Sequence, residues 1–127
     1  MTLAPAGLPR QARLRRSADF AALRSSRGRL GVRCFQLRYA PNVLGMARLG
    51  LAISKQVSRR AVERNRLKRL VRESFRRVRH RLPAVDVVVM ARAQAAGMEG
   101  AQLLAQIDEL WGKLLSADTG PTSSLPH

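Results

Sequence analysis

The feature that most constrains this chain is residues 59–77, RRAVERNRLKRLVRESFRR, in which nine arginines and lysines accompany only two glutamates. Apolar residues of this stretch and its continuation recur at helical spacing: Leu67, Leu70, Val71, Phe75 and Val78. At 100° per residue they occupy an arc of roughly 140°. The segment therefore predicts an amphipathic helix, ended by Pro83, that buries one stripe and exposes a cationic face.

The polar arc of this predicted helix carries like charges that repel one another and so destabilise the free helix. It holds Asn65 near its middle and a row of cations: Lys68, Arg69, Arg72, Arg76 and Arg79. Like charges four residues apart, such as Lys68 and Arg72, each cost about a few tenths of a kcal/mol in a free helix. A bound polyanion would relieve that repulsion, and the counterions it releases would make binding salt-dependent. A merely solvated face is the alternative, but it is typical of runs with mixed signs.

The whole chain is basic, with a formal net charge of +16 over 127 residues. The surplus lies before residue 82, since residues 82–127 hold two basic and five acidic side chains. This predicts a polyanionic partner, nucleic acid first and an anionic membrane surface second. Arginine outnumbers lysine 21 to 3, which favours forked contacts with phosphates and bases. Asn65 adds an amide that either reads a base edge or 2′-hydroxyl of folded RNA or simply tolerates exposure.

Alternating apolar residues predict strands outside the cationic segment. Residues 32–39, VRCFQLRY, and residues 48–54, RLGLAIS, both alternate, and the turn between them predicts a hairpin. On the first strand, one face holds Phe35, Leu37 and Tyr39, and the other Cys34, Gln36 and Arg38. Residues 86–92, DVVVMAR, are apolar on both faces and predict a central strand. A further short strand is expected near residues 27–31.

Two more helices complete the predicted order α-β-β(-β)-α-β-α. SADFAALRS, from Ser17, offers a serine N-cap and a short helix. After Gly100 an apolar stripe predicts a last helix, on which Trp111 is a core residue rather than a base-stacking one. The expected organisation is a flexible basic arm (1–13), one α+β domain (14–116) and a disordered tail (117–127).

No constellation for independent catalysis is visible in the sequence. The carboxylates are scattered, and His80 and His127 have no spacing partners, so His80 is interpreted as a solvated helix-end residue. Cys34 is the only cysteine; it is interpreted as a small buried residue in a reducing compartment. No apolar run suits a secretory signal or a membrane span, which predicts a cytoplasmic protein.

Residues 48–76, RLGLAISKQVSRRAVERNRLKRLVRESFR, followed by LPAVDVVVMAR, closely resemble the protein subunit of bacterial ribonuclease P. The core signature of that family stands here as RNRLKRLVRE, residues 64–73. The resemblance extends from about Leu14 to Leu115, and the form RRAVERNR is similar to the proteobacterial variant. Only the two tails fall outside it.

The resemblance implies a ribonucleoprotein that removes the 5′ leader from precursor tRNA. In that family the protein is an accessory subunit, monomeric within the complex and without a cofactor of its own; the RNA subunit and substrate hold the Mg²⁺ ions. The implied fold is an α/β sandwich of ribosomal-protein type, with a mixed central sheet. Its strand–helix–strand crossover through the RNR helix is left-handed, against the usual preference.

Two sets of site residues follow from the resemblance. The set expected to bind the ribonuclease P RNA is Arg59, Arg60, Arg64, Asn65, Arg66, Lys68, Arg69 and Arg72. The set expected to bind the precursor leader is Phe20, Arg24, Gln36, Arg38 (or Tyr39 in its place) and Lys55. Glu73 also matches the motif and is interpreted as orienting neighbouring arginines. Arg24 and Gln56 stand where many members have an aromatic residue and a lysine, so leader binding is expected to depend more on phosphate pairing than on stacking.

Two other classes of function compete with this interpretation. A ribosome-associated structural RNA-binding protein would share the composition, and only the RNR signature separates the two. An amphipathic protein of membrane surfaces is disfavoured, because the apolar stripe of the cationic helix is needed for the core.

Overall fold

The computed structural model describes residues 28–117. Its strands are β1 (Gly28–Gly31), β2 (Phe35–Pro41), β3 (Arg48–Ala52) and β4 (Val85–Ala91), and its helices are α1 (Ala61–Val78) and α2 (Gly100–Ser116). Short 3-10 turns at Arg79–Arg81 and Ala93–Ala95 follow α1 and β4. The predicted basic arm, the predicted helix from Ser17 and the tail beyond residue 117 lie outside the described residues, as do Phe20 and Arg24.

The four strands form one mixed sheet in the order β1-β2-β4-β3. β4 pairs antiparallel with β2 and parallel with β3, so that Val89 stands opposite both Leu37 and Leu51. The expected central strand is therefore confirmed, and so is the short first strand. The predicted hairpin of β2 and β3 is wrong, because β4 lies between them. As an edge strand, apolar β4 would leave one row of backbone groups unpaired; in the centre both of its edges are hydrogen-bonded.

Both helices pack on one face of this sheet. Their buried side chains join a single core with the inward residues of the strands, including Phe35, Leu37, Leu49, Val87 and Val89. On α1 the predicted stripe is buried at Leu67, Val71, Phe75 and Val78, and Leu70 is half-buried at its margin. On α2 the buried residues are Leu103, Ile107, Leu110, Trp111 and Leu114, so the core position expected for Trp111 is confirmed. The described chain is a two-layer α+β sandwich.

The chain passes from β3 through α1 to the parallel neighbour β4. This is the strand–helix–strand crossover that the resemblance implies, and its left hand stays a prediction. α1 and α2 then run side by side in the same direction. Their amino-terminal ends meet where Glu63 accepts a hydrogen bond from the Gly97 amide, and further along Ser74 lies against Asp108.

The opposite face of the sheet carries no helix among residues 28–117. The register places Gln36 beside Met90 and Arg38 beside Val88 on this outer face. Val88 packs there with Ala40 and Met90 in a small cluster separate from the main core. Tyr39 belongs to the other face, where it packs partly buried against the core. Cys34 is fully buried and free, as expected.

Candidate nucleic-acid interface

The outward ridge of α1 is formed by Asn65, Arg69, Arg72 and Arg76, hereafter the α1 crest. The first three are exposed, and Arg76 is half-exposed. They project outward because the stripe behind them, Leu67, Val71 and Phe75, is fully buried and fixes the rotation of the helix. Helical spacing alone places i, i+4 and i+7 in one row. The predicted cationic face is thus a continuous row of side chains on a rigid support.

Two further arginines extend the α1 crest beyond the start of the helix. Arg59 and Arg60 are exposed in the segment that leads into α1. The Arg60 amide donates to Ser58 Oγ at 3.2 Å, and Arg64 Nη1 donates to the Ser58 carbonyl at 2.9 Å. These bonds hold the entering segment against the first turn. Arg64 and Lys68 are half-buried on the flank of the helix rather than on its crest.

Arg66, the second arginine of the RNR motif, is bonded to the protein itself. Its Nη1 donates to Glu63 Oε2 at 3.0 Å and its Nη2 to the Met98 carbonyl at 2.8 Å. Glu63 Oε2 also accepts from the Gly97 amide at 3.4 Å. The guanidinium therefore joins α1 to the loop before α2. The sequence grouped Arg66 with the RNA-binding arginines and gave no sign of this second task.

We expect Arg66→Gln to lower the free energy of unfolding by about 1 kcal/mol, because it removes a charged hydrogen bond and an ion pair that is partly screened by solvent. Glu63→Gln should cost less, and the double variant should cost less than the sum of the two. Urea unfolding of the four proteins measures this coupling. Strict additivity would contradict the Arg66–Glu63 ion pair.

Glu73 lies beside the α1 crest and pairs with two arginines. It accepts a hydrogen bond from Arg76 Nη2 and lies 3.9 Å from Arg77 Nη2. The hydrogen bond from Arg76 lowers the pKa of Glu73 below its ordinary value. A lowered pKa favours the folded state above the unfolded-state pKa, and this contribution is lost as pH falls through the folded-state value. The interpretation of Glu73 as a residue that orients arginines agrees with this geometry.

The outer sheet face brings together part of the second predicted set. Gln36 and Arg38 lie on it in adjacent outward positions of β2, and exposed Lys55 follows the end of β3. Of the two candidates at one position, Arg38 points to this face and Tyr39 to the core side. The end of the face is fixed by Arg48, whose Nε and Nη2 bond to the two oxygens of Asp86 at 2.8 and 2.7 Å. Asn42 Nδ2 also donates to Asp86, which ties the β2–β3 connection to β4.

The described part of the chain contains neither a metal-ligand cluster nor a membrane-spanning helix. No three His, Cys, Asp or Glu side chains between residues 28 and 117 are grouped as metal ligands. Within the same range, no helix combines the length and apolarity needed to cross a membrane.

The chain thus combines a mixed four-stranded sheet, the α1 crest and an outer sheet face on the other side of the core. Comparison with known proteins identifies its family. The family model for Ribonuclease P matches residues 8–115. The chain belongs to the ribonuclease P protein family. The ribonuclease P protein component of Thioalkalivibrio sulfidiphilus is 42% identical over 115 residues, which cover 91% of this chain and 96% of that protein.

Solved ribonuclease P proteins share the fold. The Staphylococcus aureus protein superposes with a TM-score of 0.76 at 28% identity, over 82% of this chain and 97% of that one. The Thermotoga maritima protein gives 0.71 at 27% identity, over 83% and 96% of the two chains. The chain is accordingly a protein component of ribonuclease P, with an RNA partner and a role in tRNA processing.

Proposed function

We propose that the α1 crest, with Arg59 and Arg60, is the surface that docks on the ribonuclease P RNA. One observation carries this proposal: a row of exposed side chains, cationic except for Asn65, stands on a fully buried stripe inside the family's signature motif. Arginines on such a ridge hold phosphates, and Asn65 among them can hydrogen-bond a base edge or a 2′-hydroxyl. Arg64 and Lys68 contribute from the flank, and Arg66 fixes the support.

Catalysis belongs to the RNA in this proposal. Following the family resemblance, the Mg²⁺ of the holoenzyme is assigned to the RNA subunit and substrate. No group of three His, Cys, Asp or Glu side chains lies together between residues 28 and 117. The protein contributes binding and neutralises phosphate charge, as a monomer in a cytoplasmic ribonucleoprotein. Net positive charge on the protein lowers the concentration of Mg²⁺ that the RNA needs to fold and bind substrate.

The proposal is tested by adding the purified full chain to ribonuclease P RNA at low Mg²⁺ and measuring cleavage of precursor tRNA. Stimulation of cleavage at the mature 5′ end is the expected result. A chain that binds the RNA without stimulating cleavage would contradict the subunit role and favour the ribosome-associated alternative.

The outer sheet face is proposed to contact the 5′ leader of precursor tRNA, together with Phe20 and Arg24. Gln36 and Arg38 lie on that face, and the core separates it from the α1 crest. A single strand laid along the sheet could therefore be held while the crest stays on the RNA subunit. With five aromatic residues in the chain and Phe35, Phe75 and Trp111 in the core, few are left for stacking, so phosphate pairing is expected to dominate.

Arg38→Gln is expected to weaken binding of precursor tRNA to the holoenzyme while binding of mature tRNA, which lacks the leader, stays unchanged. One lost phosphate contact to a single strand should lower the slope of log affinity against log salt by about 0.7. Fluorescence titration of a 5′-labelled precursor at rising salt measures both quantities. Asn65→Ala is the matched variant, since it should weaken assembly with the RNA subunit instead. The same defect in both variants would mean that the two surfaces are wrongly divided.

A further inference from the structure

A groove of about 480 Å³ lies between the carboxyl-terminal halves of α1 and α2. Its walls include Arg77, Val78, Arg81, Asp108, Gly112 and Leu115. Its floor is apolar and firm, since Trp111 is 2% exposed and its ring lies 5.6 Å from that of Phe75. A volume of this size falls in the range of small-ligand sites. Neither predicted set of RNA-binding residues includes any residue of this groove.

Asp108 is an exposed residue at the groove, and a chain of two hydrogen bonds links it to the buried Trp111. Trp111 Nε1 donates to Ser74 Oγ at 2.7 Å, and Ser74 Oγ donates to Asp108 Oδ1 at 3.2 Å. Ser74 is the one buried polar residue among the described residues of the apolar arc of α1, at 2% exposure. This chain uses one lone pair of the carboxylate. Within residues 28–117 the other oxygen, Oδ2, has no hydrogen-bond partner, so both oxygens can accept further hydrogen bonds.

Two guanidinium groups share the groove with this carboxylate but do not pair with it. Arg77 is 64% exposed, and its ion-pair contact in the described chain is Glu73 at the long distance of 3.9 Å. Arg81 is exposed on the turn after α1. A ligand that satisfies both sides must present donors to Asp108 and an anion to the arginines. A nucleotide does so, with its base edge and its phosphate.

Gly112 widens the groove in the carboxyl-terminal half of α2. Glycine disfavours a helix interior relative to alanine, so its presence there asks for a reason. No close packing supplies one, because a Cβ built at Gly112 would meet no atom within 4 Å. The missing side chain leaves space above the floor, and exposed Leu115 and the edge of buried Val78 offer apolar walls to a planar base.

We propose that this groove receives one unpaired guanosine of the ribonuclease P RNA. The guanine edge, with two adjacent N–H donors, bonds to the two oxygens of Asp108, and Arg77 and Arg81 hold the flanking phosphates. Adenine, cytosine and uracil lack that donor pair. The proposal rests on the RNA-subunit docking proposed above and adds a base-specific contact on the side of α1 that faces α2.

The first test measures whether removing the negative charge of Asp108 weakens or strengthens RNA binding. Asp108→Asn keeps an oxygen for the Ser74 hydroxyl but places an amide against the guanine donors, so affinity of the full chain for ribonuclease P RNA should fall about tenfold. A purely electrostatic surface predicts tighter binding, because the variant loses a negative charge. Glu109→Gln is the matched control, since it removes the same charge from the next residue of α2, outside the groove. If both variants bind more tightly than the parent chain, the proposal is wrong.

The second test does not require the ribonuclease P RNA. The chain has one tryptophan, so its indole N–H gives a single nuclear magnetic resonance signal. That N–H is linked to Asp108 through the Ser74 hydroxyl. Guanosine monophosphate should shift this signal at concentrations at least fivefold lower than adenosine monophosphate, and Asp108→Asn should abolish the difference. Equal responses to both nucleotides would overturn the assignment of the base, and no shift with either would overturn the site.

Gly112→Leu provides a variant that changes no charge. Its side chain enters the open space of the groove and favours helix, so the fold should be retained, as circular dichroism would show. RNA affinity should fall at least fivefold, and the guanosine response of Trp111 should disappear. Unchanged affinity would contradict the groove. Loss of binding in α1 crest variants alone, with the groove variants unaffected, would leave the docking proposal standing and remove this one.

Discussion

Arg69→Gln combined with Arg72→Gln is expected to lower the affinity of the chain for ribonuclease P RNA by about 10- to 100-fold at moderate salt. Both side chains are exposed on the α1 crest, and neither contributes to the core. If each holds one phosphate of a helical segment, the slope of log affinity against log salt should become shallower by about 1.8. Filter binding or fluorescence titration across a salt series gives both numbers. A uniform loss with an unchanged slope would contradict phosphate contact.

The matched control is Arg33→Gln combined with Arg92→Gln. These two exposed arginines stand in the turn before β2 and in the segment after β4, outside α1. The net charge falls by the same amount in both double variants. A general electrostatic attraction would therefore weaken both equally, whereas a docking surface on α1 weakens the first far more. Equal losses would mean that the crest is only a part of a diffuse cationic field.

Stability should change far less than affinity. Arg69 and Arg72 are exposed, and Arg72 stands four residues from both Lys68 and Arg76, so its removal also relieves two like-charge contacts in α1. The double crest variant should stay within about 0.5 kcal/mol of the parent chain in urea unfolding. This measurement separates a loss of docking from a loss of folding. A strongly destabilised crest variant would show that the two arginines support the fold rather than RNA binding.

The apolar pattern predicted the elements of this fold better than their arrangement. Apolar side chains must be removed from water. This requirement explains the burial of Leu67, Val71 and Phe75 and the central position of β4, which is apolar on both faces. Pairing is different. Alternation in β2 and β3 indicates which face of each strand is buried, but it does not identify the neighbouring strand. Because the two strands are close in sequence, a hairpin was predicted. The hydrogen-bonding needs of β4 decided otherwise.

The candidate site shows the same division. The signature placed Asn65, Arg69 and Arg72 on one face correctly, since helical geometry fixes that face. It gave no hint that Arg66 bonds to the Met98 carbonyl, 32 residues away, because charge does not identify a partner in a distant loop. The contact between Ser74 and Asp108 was also not predicted. A signal for it did exist: Ser74 interrupts the apolar arc of α1, and a buried hydroxyl requires a partner from another element.

Phe75→Ala is expected to destabilise the chain by about 3–5 kcal/mol, which is a large share of the stability of a domain this size. Phe75 is fully buried and packs at a 56° tilt against the Trp111 ring, under the carboxyl-terminal half of the cationic helix. Truncation removes that contact and leaves a cavity that the surrounding helices and sheet cannot close. Urea unfolding followed by the fluorescence of Trp111 measures the loss. Val62→Ala is the control on the same helix, because Val62 is 65% exposed and its truncation should change stability by about 0.5 kcal/mol or less.

Ribonuclease P RNA should rescue Phe75→Ala and fail to rescue the crest variant. A ligand that binds only the folded chain adds about 2.7 kcal/mol of stability when its concentration is 100 times its dissociation constant. Phe75→Ala keeps every side chain of the α1 crest, so RNA at that concentration should recover about 2.7 kcal/mol of the loss and restore stimulation of precursor cleavage. The Arg69/Arg72 variant lacks the contacts that RNA would use, so RNA should stabilise it far less. If excess RNA did not stabilise Phe75→Ala, RNA binding would not depend on the helix that this part of the core supports.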